Sequence, residues 1–98
     1  MIRHIVLFKL KDGLTREDPR VQAASHALAE LGPTLAPVLR WETHWCFSTR
    51  PVSNDFALIC DLADEAALAA YQSDPEHQKV VALLQEVYVF SAADFVTA

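Results

Sequence analysis

The first strand of the chain, Ile2 to Lys11, is apolar on both of its faces. Successive side chains of a strand point to opposite sides of the sheet. One face would carry the even-numbered residues, where His4 is the only polar side chain, and the other has Ile5 and Leu7 at its centre. Helices of the same chain can cover one face, but a chain of 98 residues has too little left to cover the second. The simplest cover for that second face is another copy of the chain.

Length and composition indicate a single globular domain over residues 1–98. Hydrophobic residues make up 52% of the chain, which has two glycines and a net charge of −5. Because the net charge is negative and the basic residues form no cluster or stripe, we expect no nucleic acid partner. The apolar runs are too short to cross a bilayer, and Met1 leads directly into a strand with no signal-peptide pattern. We therefore expect a cytoplasmic protein without a membrane partner.

The hydrophobic periodicity predicts the element order β-α-β-β-α-β. A first helix would open at Thr15–Pro19 and end at Gly32-Pro33, and a second helical region would start at Asp64 and restart at Asp74-Pro75. Three further strands are predicted, at Val38–Phe47, Phe56–Leu62 and Tyr88–Val96. Short right-handed connections favour an α+β, ferredoxin-like protomer with an antiparallel sheet of order 4-1-3-2 and both helices on one face. The open face would then pair with the sheet of a second copy.

Three stretches of the sequence resemble the Dabb family, the stress-responsive dimeric α/β-barrel domain. They are IRHIVLFKLK at residues 2–11, DFALICDLADEAALAAYQSDPEHQKV at residues 55–80, and AADF at residues 92–95. The combination of a histidine early in the first strand with Tyr71 and His77 at Y-x5-H spacing is the most specific part of the match. The resemblance covers nearly the whole chain and implies a ferredoxin-like protomer that pairs its sheet with a partner to form a dimeric α+β barrel.

The resemblance extends to cofactor-free polyketide cyclases of the olivetolic acid cyclase type, which close a ring with a histidine pair and a tyrosine. It implies His4, Tyr71 and His77 as catalytic residues that act without a cofactor, and the spacing of the histidines and cysteines indicates no metal site. The sequence departs from the common family pattern at three positions, which leaves the substrate open. Asp74 stands where many members have histidine, and His44 and Cys46 stand where glycine and asparagine are frequent.

The physical chemistry of these residues supports a site. Antiparallel pairing of the first and third strands would bring the Asp74–His77 corner toward His4. With Asp74 as N-cap, His77 is the third helical residue, where the helix dipole favours a neutral imidazole. A neutral imidazole in an apolar pocket can remove a proton next to a carbonyl, and Tyr71 can donate a hydrogen bond to the developing oxyanion.

Two functions remain open on the sequence alone. The first is a homodimer with a small apolar pocket in each protomer that binds, and can transform without a cofactor, a small aromatic or β-dicarbonyl-type molecule. The alternative is a non-catalytic structural or accessory dimer, in which both histidines hold the strand-to-helix corner together.

The remaining polar and aromatic residues have simpler interpretations. His26 and His44 lack a second ligand at metal spacing, and Cys46 and Cys60 are expected to be reduced thiols in strands. Alternation over Val38–Phe47 puts Leu39, Trp41 and Trp45 on one apolar face, and the tryptophans are expected in the core or a pocket wall. The acidic cluster Asp61, Asp64 and Glu65 is expected to be a solvated helix start.

Overall fold

A computed structural model describes residues 1–97 and confirms the predicted order of elements. The second helical region is divided at Asp74-Pro75, and a single 3₁₀ turn at Gly32–Thr34 follows the first helix. The elements are β1 (Ile2–Leu10), α1 (Pro19–Leu31), β2 (Val38–Trp45), β3 (Phe56–Leu62), α2 (Glu65–Ser73), α3 (Pro75–Val87) and β4 (Tyr88–Val96).

The four strands form one antiparallel sheet in the order β2-β3-β1-β4, which is the predicted 4-1-3-2 arrangement of a ferredoxin-like fold. The helices begin where the sequence indicates, because each has an aspartate at its N-cap. Asp18 accepts from the backbone N–H of Arg20, Asp64 from that of Ala67, and Asp74 from that of Glu76.

The core lies between the helices and the even-numbered face of β1. Val6 and Phe8 are buried there with His4, which is 6% exposed. Phe8 contacts the rings of Phe56 and Tyr88 on the neighbouring strands. Alternation along β1 therefore separates a covered face that carries His4 from an open face that carries Ile5 and Leu7.

Strand β2 departs from a regular alternation at its start. A register shift between Val38 and Arg40 inserts Leu39 as an extra residue, so Val38 packs against the core while Leu39 is 61% exposed. The expectation that Leu39 shares the apolar face with Trp41 is therefore wrong. The strand ends at Trp45, two residues before its predicted end, and Phe47 is exposed.

An ion-pair network lies at one end of the open face. Arg3 and Arg40 occupy the strands on either side of β3, and Asp61 of β3 lies between them. The Arg3 guanidinium donates two hydrogen bonds to the Asp61 carboxylate at 2.9 and 3.2 Å, and Arg40 lies 3.7 Å away. Asp61 is 4% exposed, so the expectation of a solvated carboxylate is wrong at this position. Asp64 does cap a helix, but Asp61 faces the two arginines because it belongs to the strand.

A bilayer-spanning helix is not found among residues 1–97, since none of the helices there is both long and apolar enough.

We expect Asp61→Asn to lower the unfolding midpoint at neutral pH. Hydrogen bonds from Arg3 hold the pKa of the Asp61 carboxyl below its ordinary value. A carboxyl group with a lowered pKa stabilises the fold above its ordinary pKa of about 4, and this contribution is lost as the pH falls through the folded-state pKa. The difference in midpoint between wild type and variant should therefore shrink on acidification.

Thermal unfolding followed by circular dichroism at one protein concentration tests this expectation. The matched control is Glu30→Gln, which removes an exposed carboxylate paired with His26 on α1. Equal midpoints for wild type and Asp61→Asn at neutral pH would contradict the stabilising role of the network.

Candidate functional site

A cavity of about 270 Å³ lies between the covered face of the sheet and the helices. All three residues predicted for the site, His4, Tyr71 and His77, contribute to its wall. Most of the remaining wall is apolar, including Val6, Leu28, Leu58, Leu84 and Phe90. The fold therefore brings the three predicted residues from a strand and two helices to one apolar space.

His4 is held by a carboxylate on the adjacent strand. The register of β1 and β4 places Asp94 directly opposite His4, and His4 Nδ1 lies 2.5 Å from Asp94 Oδ1. The His4 side chain is 7% exposed, whereas that of Asp94 is 35% exposed. In the neutral tautomer that donates from Nδ1 to Asp94, the Nε2 atom keeps its lone pair.

Asp94 is the residue of the site that sequence reasoning missed. It lies within the AADF stretch that supports the family resemblance, but its role depends on strand pairing across the sheet. A carboxylate within a largely apolar edge strand is the local signal that could have identified it.

Tyr71 connects the two histidines. Its ring centroid lies 5.5 Å from that of His4, in an edge-on arrangement, and 4.2 Å from that of His77. Tyr71 is 1% exposed, and this burial raises the pKa of its hydroxyl. The hydroxyl is therefore protonated at neutral pH and can act as a hydrogen-bond donor.

His77 occupies the first turn of α3, at the corner that Asp74 forms. The Asp74 carboxylate accepts from the backbone N–H of Glu76 at 2.8 Å and of His77 at 3.4 Å. His77 Nδ1 lies 3.4 Å from the carbonyl oxygen of Gln72, so Nε2 is again the nitrogen without a protein partner among the described residues. Burial lowers the pKa of His77 and the nearby His4 adds to this effect, while the hydrogen bond to Gln72 and the charge of Asp74 oppose it only in part. The direction is the one expected from the sequence, but burial is its main cause.

Together these residues place a neutral base beside a hydrogen-bond donor in a largely apolar cavity. A histidine with a lowered pKa can accept a proton from a carbon next to a carbonyl group, and a buried tyrosine can stabilise the resulting oxyanion. Within residues 1–97, no cluster of three or more histidine, cysteine or acidic side chains has the arrangement to hold a metal ion.

The other candidate residues lie outside this cavity. His26 is exposed beside Glu30, and His44 is exposed on the open face beside Glu42. Cys46 and Cys60 are free thiols, as expected, but the expectation of a strand is wrong for Cys46, which follows the end of β2 and is half-buried. Burial raises the pKa of the Cys60 thiol to about 12, so it is not ionised at neutral pH.

The sequence matches the family model of the Stress responsive A/B Barrel Domain, Dabb, over residues 2–96. An uncharacterised protein of Streptomyces coelicolor is 43% identical over 95 residues, which cover 97% of this chain and 98% of that protein.

Solved structures show the same fold. A dimeric ferredoxin-like protein of unknown function from Thermobifida fusca superposes with a TM-score of 0.84 at 27% identity, covering 98% of this chain and 90% of the other. A hydroxynitrile lyase from Passiflora edulis superposes with a TM-score of 0.83 over 99% of this chain and 93% of the lyase. Its identity is only 12%, so this second likeness is one of fold alone.

We expect His77 to titrate below the ordinary histidine pKa of about 6.5 in the folded protein, because its burial disfavours the charged ring. Histidine NMR signals followed against pH, with His77→Gln to assign them, measure this value. The same shift implies that some stability is lost as the pH falls through the ordinary histidine range, since the unfolded chain binds the proton more readily. A folded-state pKa for His77 at or above its value in the urea-unfolded chain would contradict a neutral base at this position.

Proposed function

The chain belongs to the Dabb family of stress-responsive A/B barrel domains, and on that premise we propose that it is a homodimer whose cavity binds a small aromatic or β-dicarbonyl molecule. The bound molecule loses a proton next to its carbonyl group, without the help of a cofactor.

One observation carries this proposal: three titratable rings follow one another along the wall of an apolar cavity. His4 contacts Tyr71, and Tyr71 contacts His77. The cavity volume of about 270 Å³ is close to the lower end of the range for small-molecule sites, roughly 300 Å³. An apolar wall with a few convergent polar groups suits a small aromatic or carbonyl compound better than a highly charged one.

Each ring has a distinct role in the proposed reaction. His77 Nε2 accepts the proton from the carbon next to the carbonyl, and the electron pair of the broken C–H bond moves to form an enolate. The Tyr71 hydroxyl donates a hydrogen bond to the enolate oxygen. His4, held in place by its hydrogen bond to Asp94, contacts the Tyr71 ring and helps to position the tyrosine. Return of the proton from His77 to the enolate restores the neutral histidine.

The homodimer follows from the open face of the sheet. On this face Leu7 is 40% exposed, Phe95 44% and Val89 64%, in a region flanked by the Arg3–Asp61–Arg40 network. Exposed apolar surface of this kind is typical of an interface. The Thermobifida fusca protein, which has the same fold, is described as dimeric. A second copy placed sheet to sheet would cover this surface and complete the barrel.

The non-catalytic dimer remains the second candidate, because one contact favours it. The His4–Asp94 hydrogen bond also connects the edge strand β4 to β1. If His4 is purely structural, its substitution should lower the stability of the protein, and the cavity should bind no ligand. Loss of a buried hydrogen bond of this kind costs about 1–3 kcal/mol.

We expect the protein to accelerate exchange of the protons next to the carbonyl of benzylacetone in heavy water, measured by NMR. His77→Ala should slow the catalysed exchange by about 10²–10⁴-fold, since it removes the base. Tyr71→Phe should slow it by about 10²–10³-fold, since it removes the donor to the oxyanion. His26→Ala is the matched control, because it removes an exposed histidine of α1 and should leave the rate unchanged.

Two results would contradict this function. Catalysed exchange that persists in His77→Ala at the wild-type rate would exclude His77 as the base. Absence of both exchange and benzylacetone binding in the wild type, together with a lower unfolding midpoint for His4→Ala, would instead support the structural dimer.

We expect Leu7→Asp to convert the dimer into a monomer. In the proposed dimer the open faces of two sheets meet, so a carboxylate at position 7 would be buried in the interface without a partner. Size-exclusion chromatography with light scattering measures the molecular mass of the wild type and of each variant in solution. Leu83→Asp is the matched control, since Leu83 of α3 is 43% exposed, nearly the same as Leu7, but lies away from the sheet face. A dimer that is retained in Leu7→Asp and lost in Leu83→Asp would place the interface on the helices.

A further inference from the structure

We propose that Trp41, which contributes no wall to the cavity formed by residues 1–97, is a positioning residue that sets the orientation of Tyr71. The inference rests on the function proposed above, because the oriented hydroxyl is the one that would face the substrate carbonyl.

Tyr71 depends on its ring contacts for its position. It is the only fully buried residue of α2, and the partly buried Ala67 and Leu68 pack against the core beside it. Its ring contacts His4, His77 and the indole of Trp41, whose centroid lies 6.0 Å away in an edge-on arrangement. Trp41 is therefore the one aromatic neighbour of Tyr71 that is not itself part of the cavity wall.

The indole of Trp41 is fixed by a hydrogen bond to helix α1. Its Nε1–H donates to the backbone carbonyl of Leu28 at 3.0 Å. This hydrogen bond fixes the orientation of the indole and its distance from α1. Because the Leu28 side chain lines the cavity, the same contact also connects Trp41 to the apolar wall.

Gly32 shows that the fold makes room for the indole. A Cβ atom at this residue would overlap Cγ and Cδ2 of Trp41, so any other residue at position 32 would force the indole to move. The backbone of Gly32 has φ −52° and ψ −52°, a helical conformation that any residue adopts. Glycine is therefore needed at position 32 for space and not for its backbone freedom, although it is a poor helix former by about 1 kcal/mol.

These contacts form a continuous support from α1 through Trp41 to Tyr71. A smaller ring at position 41 would leave space beside Tyr71 and remove the bond to Leu28, so the tyrosine could tilt into that space. Displacement of a catalytic group by about 1 Å can cost about 10²-fold in rate. We therefore expect a defect in the chemical step and not in ligand binding.

The test compares Trp41→Phe with Trp45→Phe. Trp45 is the matched control because it lies on the same strand and is the only other tryptophan, but it packs against Phe56 and under Arg16, away from Tyr71. In benzylacetone exchange, Trp41→Phe should lower kcat by about tenfold or more while KM stays within about twofold. Trp45→Phe should leave both values near those of the wild type.

NMR signals of the Tyr71 ring give a readout that does not depend on activity. The chain has two tyrosines, so Tyr71→Phe assigns them directly. The Tyr71 signals, and the titration of His77 beside it, should shift in Trp41→Phe and stay unchanged in Trp45→Phe. Gly32→Ala keeps the tryptophan but forces it out of place, so it should reproduce the shift and provides the test if Trp41→Phe does not fold.

The outcomes separate this inference from the function on which it rests. Unchanged Tyr71 and His77 signals in a folded Trp41→Phe or Gly32→Ala variant would overturn the positioning role, and so would equal shifts in Trp45→Phe. Shifted signals in a protein whose wild type shows no benzylacetone exchange would retain the positioning role and remove the proposed reaction.

Discussion

The alternation of side chains along β1 is the constraint on which both the site and the proposed dimer depend. β1 is paired on both edges, with β3 and with β4, so its register is fixed from two sides. A slip of one residue would turn His4 to the open face and bring Ile5 into the core. The covered face that holds the cavity and the open face proposed to meet a second copy are thus two consequences of one register. A change in the register of β1 would therefore alter the cavity and the proposed interface together.

The corner between α2 and α3 is held together by Asp74. The backbone N–H of Asp74 donates to the carbonyl of Tyr71 at 3.3 Å, and its carboxylate accepts from the first turn of α3, including the N–H of His77. Asp74 therefore joins the end of the helix that carries the tyrosine to the start of the helix that carries the histidine. Its negative charge lies at the positive end of α3, where the helix dipole stabilises it. The aspartate accordingly serves the geometry of the site without entering the cavity.

Most of the fold could be predicted from the sequence because it rests on local signals: alternation in the strands, helical spacing in α1 and α3, and aspartate N-caps. The features that were missed all depend on contacts between distant parts of the chain. The role of Asp94 depends on the pairing of β4 with β1, which places it opposite His4. The ion pair of Asp61 likewise depends on the pairing of β3 with β1, which places it opposite Arg3. Leu39 was assigned to the wrong face because a bulge is a property of two paired strands and has no clear signal in one. The roles of His4, Tyr71 and His77 were suggested by family resemblance, and the shared cavity emerges only when three elements are packed together.

Stability alone does not account for the His4–Asp94 pair. His4 lies in the covered face of the central strand, where Val6 and Phe8 show that apolar side chains fit. A hydrogen bond contributes a net of about 0.5–1.5 kcal/mol, or about 1.5–3 kcal/mol when one partner is charged, whereas burying a Val or Leu side chain contributes about 1.5–3 kcal/mol. Replacing a buried polar pair by well-packed apolar residues is often neutral or stabilising. A fold that needed only to hold β4 against β1 would therefore gain nothing from a histidine at this position. His4 instead lines the cavity and contacts Tyr71, which agrees with the role proposed for it.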